Sequence, residues 1–447
     1  MSFRRPSGLS ALIAIAVGQL FSAVGSRMTT FALSIWVWEA TGRATDFALL
    51  TVVALGATVL FSPIAGALVD RWNRRVTMIL SDFGAALATG VLLLLFLTDS
   101  AQVWHLYVVN FVSGAFMAFQ APAYTALIAV TLEKRHFPRA GAVFSLVTSA
   151  PAIVAPGLAA ALLAVTGVYG VLAIDLVTFA VAVALIFLVA VPQQPTSAQP
   201  EKRQHVLRDA VFGFRYVWTR HVLRRLLMVQ FSIAMFSGFG WVLMTPLIMA
   251  RTGDDANQVA IVNMVGAVGG VLGGLVLTAL PSTRRKAVRM LLAMLVFGAL
   301  GRALFGLGFS TPIWSASLFF AWACLPFMNG YGTAIWQEKV NPQLQGRVTA
   351  TRQLLEGVSL PLAIGVTGPL IDFVLEPAMR PGGSLAGVFG GVVGTEPGAG
   401  MALVFLVTGA LACLVGVFGL ATRDVRDIEK LVPDHDAPSE EPAMASR

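Results

Sequence analysis

Gly66-Ala67-Leu68-Val69-Asp70-Arg71-Trp72-Asn73-Arg74-Arg75 joins two long apolar runs. Four formal charges, Asp70, Arg71, Arg74 and Arg75, follow Val69 within six residues, so the stretch cannot lie in hydrocarbon. It reads as a tight aqueous turn between two membrane helices. Gly66 permits close helix approach, while Arg71, Arg74 and Arg75 hold the turn at an anionic membrane surface. Asp70 has two available partners: those arginines, or the positive N-terminal end of a neighbouring helix. Asn73 tolerates left-handed dihedrals better than most side chains, which suits a turn.

The composition agrees. Of 447 residues, 57% are hydrophobic and 12% charged, with mean hydropathy +0.78, whereas soluble chains carry about a quarter charged residues. A bilayer core needs about 20 apolar residues per helix. The chain supplies about twelve such runs, roughly at 9–38, 47–69, 76–97, 103–127, 141–165, 168–191, 223–249, 258–280, 288–308, 312–336, 354–375 and 401–421. Backbone groups in lipid must pair internally, so an all-α membrane protein of twelve transmembrane helices is expected. The first run is too long for a cleavable signal.

Basic residues alternate between loops. They collect at Arg4, Arg5, Arg71, Arg74, Arg75, Lys134, Arg135, Arg139, Arg203 through Arg225, Arg284, Arg285, Lys286, Arg289, Lys339 and Arg347. The opposite loops hold Arg43, Arg251 and Arg380. This asymmetry places both termini in the cytoplasm. The net charge of +8 flanks apolar spans throughout, which argues against nucleic-acid binding. Cys324 and Cys413 lie far apart in apolar runs and form neither disulfide framework nor zinc spacing. No cofactor is expected.

The chain repeats itself. Arg139-Ala140-Gly141 through Pro156 aligns with Arg347-Val348-Thr349 onward, and the same offset sets Gly66 on Gly274 and Tyr124-Thr125-Ala126 beside Gly332-Thr333-Ala334. Gln19 corresponds to Gln230 after a small shift. Two pseudo-symmetric six-helix bundles follow, residues 1–191 and 222–422. Residues 192–221 form a cytoplasmic linker. Its start, Pro192 through Pro200, is solvated, and Leu207, Ala210, Val211, Phe214, Val217 and Trp218 make an amphipathic surface helix or an extension of the seventh span. Glu376 to Gly400 is glycine-rich and reads as an external loop, and 423–447 as a disordered acidic tail.

Few ionisable groups enter the spans, and each is expected to face a cavity or a partner. Arg27 lies about eleven residues, ~16 Å, from the far end of the first run. Gln19, Ala23, Ser26, Arg27 and Thr30 share one side of that helix, and Gln230, Ala234, Ser237 and Trp241 recur at matching steps in the seventh. Arg27 is either a substrate- or proton-linked cation at a central cavity or the partner of Asp175. Asp175 and Glu356 are candidates for an exchangeable proton, with salt bridges to Arg27 and Arg352 as the alternatives. Asp82 is expected to join the network of the Asp70 turn. Arg302 and Asp372, near far helix ends, are gate pairs or interfacial charges. Asn110, Ser113, Met117, Gln120 and Tyr124, with Trp322, Met328, Asn329 and Trp336, suit a bulky amphipathic ligand or plain helix packing.

The turn resembles the G-x-L-x-D-R-x-G-R-R/K motif between helices 2 and 3 of major facilitator superfamily transporters, with Asn73 at the second glycine. Leu68 through Leu87, Trp104 through Ile128, Ile174 through Phe179 and Gln345-Gly346-Arg347-Val348 are similar to its macrolide, drug and siderophore exporters. The resemblance runs from about Leu9 to Ala421. It implies a rocker-switch exporter driven by the proton gradient, with Asp70 latching an inner gate against the eleventh helix near Arg347. Thr278 to Arg285, the second-half counterpart, has arginines and no acid, so the latch is one-sided. Helix 5, with Pro151, Pro156, Gly157, Ala159 and Ala160, is a weak relative of the antiporter Gly-Pro motif. Many multidrug members carry a membrane acid in helix 1, where this chain has Arg27.

The expected function is export of small bulky or amphipathic compounds across a bacterial cytoplasmic membrane. Small-molecule substrate, protons and lipids would be the partners of a monomer. Import or flipping of a lipid-like solute is the alternative on the same fold, and a membrane sensor is a further one. An enzyme is not expected, since no H-E-x-x-H, Ser/His pairing or phosphate-cradling loop occurs.

Overall fold

The computed structural model describes residues 9–69, 72, 74–131, 137–188, 214–281 and 283–431. The long helices are α1 (Leu9–Thr41), α2 (Ala44–Val69), α3 (Arg74–Leu97), α4 (Val103–Thr131), α5 (Phe137–Leu188), α6 (His221–Thr252), α7 (Ala256–Ala279), α8 (Lys286–Val296), α9 (Thr311–Lys339), α10 (Pro342–Leu370) and α11 (Ala399–Ala421). Among the described residues there is no strand, and ten helices are long and apolar enough to cross a membrane. A straight helix of the 52 residues in α5 would run ~78 Å, more than twice the bilayer core. It breaks at Gly167, where φ 65° and ψ −165° are open to glycine and not to L side chains. Divided there, and with α4 counted, the rods are consistent with the expected twelve.

Small residues set the helix contacts. A Cβ on Gly269 would come within 2.4 Å of Phe319 O, and one on Gly273 within 2.2 Å of Ala323 O, so α7 and α9 touch backbone to backbone. Gly25 admits Asp175 and Thr178 of α5 against α1 in the same way. Between the halves, α2 packs on α10 and α5 on α7. Gly368 lies against Thr45, and Gly157 against Met264.

The two ends of the bundle are tied differently. At the end away from the basic loops, contacts cross between halves. Trp38 Nε1 donates to Asp254 Oδ1 at 2.9 Å. Gly253 and Asp254, with φ 64° and 66°, turn the chain out of α6 to place that carboxylate. The Asp372 carboxylate accepts from the backbone N–H groups of Ala44 at 3.1 Å and Thr45 at 2.8 Å. It thereby caps the N-terminus of α2, an arrangement worth about 0.3–1 kcal/mol at a surface and up to ~2 when partly buried. Asp372 is thus a bridge between halves rather than a loose interfacial charge.

At the basic end the described contacts run inside a half. Arg75 Nη2 donates to Phe187 O at 2.6 Å, stapling α3 to the end of α5. Arg225 pairs with Asp424 at 2.9 Å, and Lys286 with Glu338. The Glu429 carboxylate accepts from Ala287 N at 2.8 Å. Residues 423–447 were expected to be a disordered tail, but Arg423–Arg426 and Ile428–Leu431 are helical turns with Val425 and Ile428 buried. Those two apolar side chains, together with Glu429 and Asp424, hold the segment on the second half. Of the expected amphipathic helix, 214–219 is helical, and its remainder lies outside the described residues, as do linker residues 192–213 and 432–447. The expected loop after Glu376 contains helical turns, pinned where its carboxylate accepts from Gly398 N at 2.7 Å and Gly400 N at 2.9 Å.

Gly269→Val is predicted to force α7 off α9, costing about 1–3 kcal/mol by overpacking and lowering the melting temperature in detergent by several degrees. Gly274→Val, where a Cβ meets nothing within 4 Å, should leave it unchanged. Equal melting temperatures for the two variants would contradict this packing.

Candidate transport site

Asp82 is 1% exposed in α3, and both its oxygens are held by carboxamides from other helices. Gln19 Nε2 in α1 donates to Oδ2 at 2.9 Å, and Gln120 Nε2 in α4 donates to Oδ1 at 3.0 Å. Two neutral donors satisfy the carboxyl without supplying a counter-charge. The expectation that Asp82 joins the Asp70 network is corrected here, because its described partners are the two glutamines expected to line the cavity. Asp82 lies about eight residues, ~12 Å, inside the start of α3, too deep to share the surface turn. The repeat offset that sets Arg139 on Arg347 sets Asp82 on Met290 and Gln120 on Met328. Both methionines are fully buried, so the second half replaces this polar cluster with thioethers.

Asp175 is the second buried carboxyl, 1% exposed on the far limb of α5. Its oxygens accept from Thr29 at 2.8 Å, Thr89 at 3.2 Å and Ser26 at 3.4 Å. The possible ion pair with Arg27 does not form. Arg27 is exposed on the opposite side of α1, and among the described residues no carboxylate lies within ion-pair distance of it. One turn further along that side, Phe31 is buried, with Met28 and Ile35, in the core cluster that includes α6. Arg27 therefore lies eleven residues, ~16 Å along α1, below the contact between Trp38 and Asp254. A cation at such depth costs about 2.5–3.5 kcal/mol on insertion scales, and Arg27 is exposed rather than packed in the core.

In the second half, Gln230 is corrected from cavity wall to packing. It is 7% exposed and accepts from Trp336 Nε1 at 2.6 Å, with Gly332 leaving room for its amide. Trp241 and Trp322 stack at 5.8 Å with an interplanar angle of 10°, joining α6 to α9. Arg302 lies behind them, 7% exposed, and is neither a gate pair nor interfacial. Asn329 is exposed, and Asn110 Nδ2 donates to Leu106 O at 2.8 Å on its own helix. Asp70, Arg71 and Asn73 lie outside the described residues, as do the side chains of Gly66, Arg74, Tyr124, Arg347 and Glu356. Cys324 and Cys413 are free thiols, and no His/Cys/Asp/Glu group suited to a metal occurs among the described residues.

The Major Facilitator Superfamily profile matches residues 15–364. Macrolide efflux protein A of Streptococcus pyogenes is 25% identical over 365 residues, covering 80% of this chain and 88% of its own. The multidrug efflux pump Tap of Mycolicibacterium fortuitum is 24% identical over 371 residues, covering 81% and 89%. Among solved structures, a bacterial homologue of the human lysosomal transporter Spinster, in an inward-facing and unoccupied conformation, superposes with TM-score 0.65 at 16% identity, covering 94% of this chain and 97% of that one. With this match across most of its length and its multi-pass helical bundle, the chain belongs to the Major Facilitator Superfamily of membrane transporters.

Proposed function

We propose that this transporter exports small bulky or amphipathic compounds, of drug, macrolide or siderophore-like character, out of a bacterial cytoplasm by alternating access and in exchange for protons. The observation that carries the reading is the pairing of an end sealed across the halves with buried carboxyls beneath it. Trp38, Asp254 and Asp372 close one end. Asp82 and Asp175 hold only neutral donors, so each can exchange charge for a proton without breaking an ion pair. Both efflux relatives support the direction and the substrate class. The positive-inside pattern makes the sealed end the outer one, with the termini in the cytoplasm. Glu356 remains a third proton candidate, and Asp70 the acid that latches the inner end in the opposite state.

The α2–α10 pair then carries an acid at each end. Asp372 caps the start of α2 when the outside is shut, and Asp70 would reach the start of α10 when the inside is shut. Antiparallel neighbours place each carboxylate beside the other helix's positive end. Switching therefore exchanges one cap for another instead of leaving one unmade.

Energised everted vesicles should accumulate a bulky amphipathic dye such as the aromatic anion 8-anilinonaphthalene-1-sulfonate, and a protonophore should abolish the accumulation. Uptake indifferent to the protonophore would rule out antiport. Asp82→Asn and Asp175→Asn are each predicted to cut dye accumulation at least tenfold at unchanged membrane abundance. Gln230→Leu should instead lower thermal stability and spare the proton dependence; the reverse pattern would contradict the assignment. Asp372→Ala removes a cap worth about 0.3–2 kcal/mol, and is predicted to raise thiol-reagent labelling of Arg27→Cys from outside by about 2–30-fold. Unchanged labelling would remove Asp372 from the outer gate. Asp70→Asn should abolish export without affecting membrane insertion, and undiminished export would remove the inner latch.

A further inference from the structure

Arg302 stands in a widened turn. Phe297–Ala303 is π-helical, closed by Leu304 N–H donating to Ala299 O, five residues back. Such insertions turn the following side chains by about one residue's rotation and recur at functional positions. Here the turn carries the guanidinium into the second half, where it is buried. Its carbon lies 4.9 Å from the Phe297 ring and 5.5 Å from the Phe405 ring. Gly240 of α6 gives it space, since a Cβ there would fall 1.1 Å from Nη1.

The donors are not used up. Nη2 donates to Ser237 O at 3.0 Å. Among the described residues, Nε and the neighbouring Ser237 Oγ are both buried without a hydrogen-bond partner. No carboxylate within ion-pair distance of Arg302 occurs among the described residues either. A guanidinium stays charged at any biological pH and presents a planar fork that matches two acceptor oxygens. Ring faces satisfy its plane, leaving the N–H edge as the place for an acceptor.

Arg302 and Ser237 both border a pocket. Ser237, Gly240, Trp241, Arg302, Ala321 and Trp322 line a space of about 380 Å³, open mouth included. Because that space runs out to its open mouth, its lining rather than its volume defines the site: one guanidinium beside two indole faces. The stacked indoles of Trp241 and Trp322 stand beside the guanidinium and offer flat apolar surface to an adjoining ring.

We propose that Arg302 binds the anionic group of an amphipathic aromatic substrate, a carboxylate or phenolate attached to a flat ring that seats against Trp241 and Trp322. The inference rests on the export reading and narrows its substrate class. An anion bound there accepts hydrogen bonds and supplies the counter-charge that no described carboxylate gives Arg302, whereas a neutral analogue can accept a hydrogen bond but brings no charge.

The test is equilibrium binding to purified full-length protein in detergent, independent of transport. Dansylglycine and its neutral isostere dansylglycinamide are titrated, with energy transfer from tryptophan as the signal. Wild type should bind the anion at least tenfold more tightly. Arg302→Gln should erase the preference while keeping affinity for the amide within threefold, and Arg302→Lys should restore part of it. Arg27→Gln, in the other half, should retain the full preference. Equal wild-type affinities, or a preference that survives Arg302→Gln or disappears with Arg27→Gln, would overturn the proposal. Should Arg302→Gln not fold, Trp322→Phe locates the probe: a large loss of transfer supports the site, and an unchanged signal contradicts it. Selective binding without dye efflux would fail the export reading alone, whereas efflux without anion preference would fail this inference alone.

Discussion

A polar group left unpaired in hydrocarbon costs several kcal/mol, of order 2–7 depending on the reference, and this requirement shapes the molecule at every scale. It makes the spans helical and breaks α5 at Gly167. It puts two carboxamides on Asp82 and three hydroxyls on Asp175. It also marks out what is left incomplete: Arg27 beneath the seal, and Arg302 beside Ser237.

The halves share a fold and differ in chemistry. The first keeps acids in its interior, each balanced by neutral donors. Its counterpart fills the positions of Asp82 and Gln120 with Met290 and Met328, and buries Gln230 against Trp336. On the proposed reading, a proton-responsive half beside a half that holds an aromatic pocket would divide the labour of an exchanger. One link between them is the α2–α10 contact, where Asp372 reaches across to Ala44 and Thr45.

Spans, bundle class and family were legible from apolar run lengths and from the turn after Gly66, because the bilayer enforces both locally. Gln19, Asp82, Gln120, Arg27 and Asp175 were recognisable as polar groups in apolar runs, but their partners were not. Gln19 and Asp82 stand 63 positions apart, and Asp175 and Thr29 146, separations over which no helical period carries information. Repeat symmetry misled at Gln230, since pseudo-equivalent positions need not face the same surroundings. Counting residues from a helix end put Arg302 near an interface, whereas the π turn carries it inward and only the tertiary structure exhibits that turn. The acidic run after Arg423 resembled a solvated tail because Val425 and Ile428 are too few to give a period.

The central claim is that the halves rock as bodies, one end opening as the other shuts. Double electron–electron resonance tests it most directly, after replacement of Cys324 and Cys413, using one spin-label pair at Ala40 and Asn257 and another at Trp72 and Arg284. All four label sites are exposed, and each pair spans the two halves. Titration from acid to alkaline pH is predicted to shift the two distance distributions in opposite directions with matching populations. Distances that lengthen together, or that ignore pH at both ends, would contradict the account.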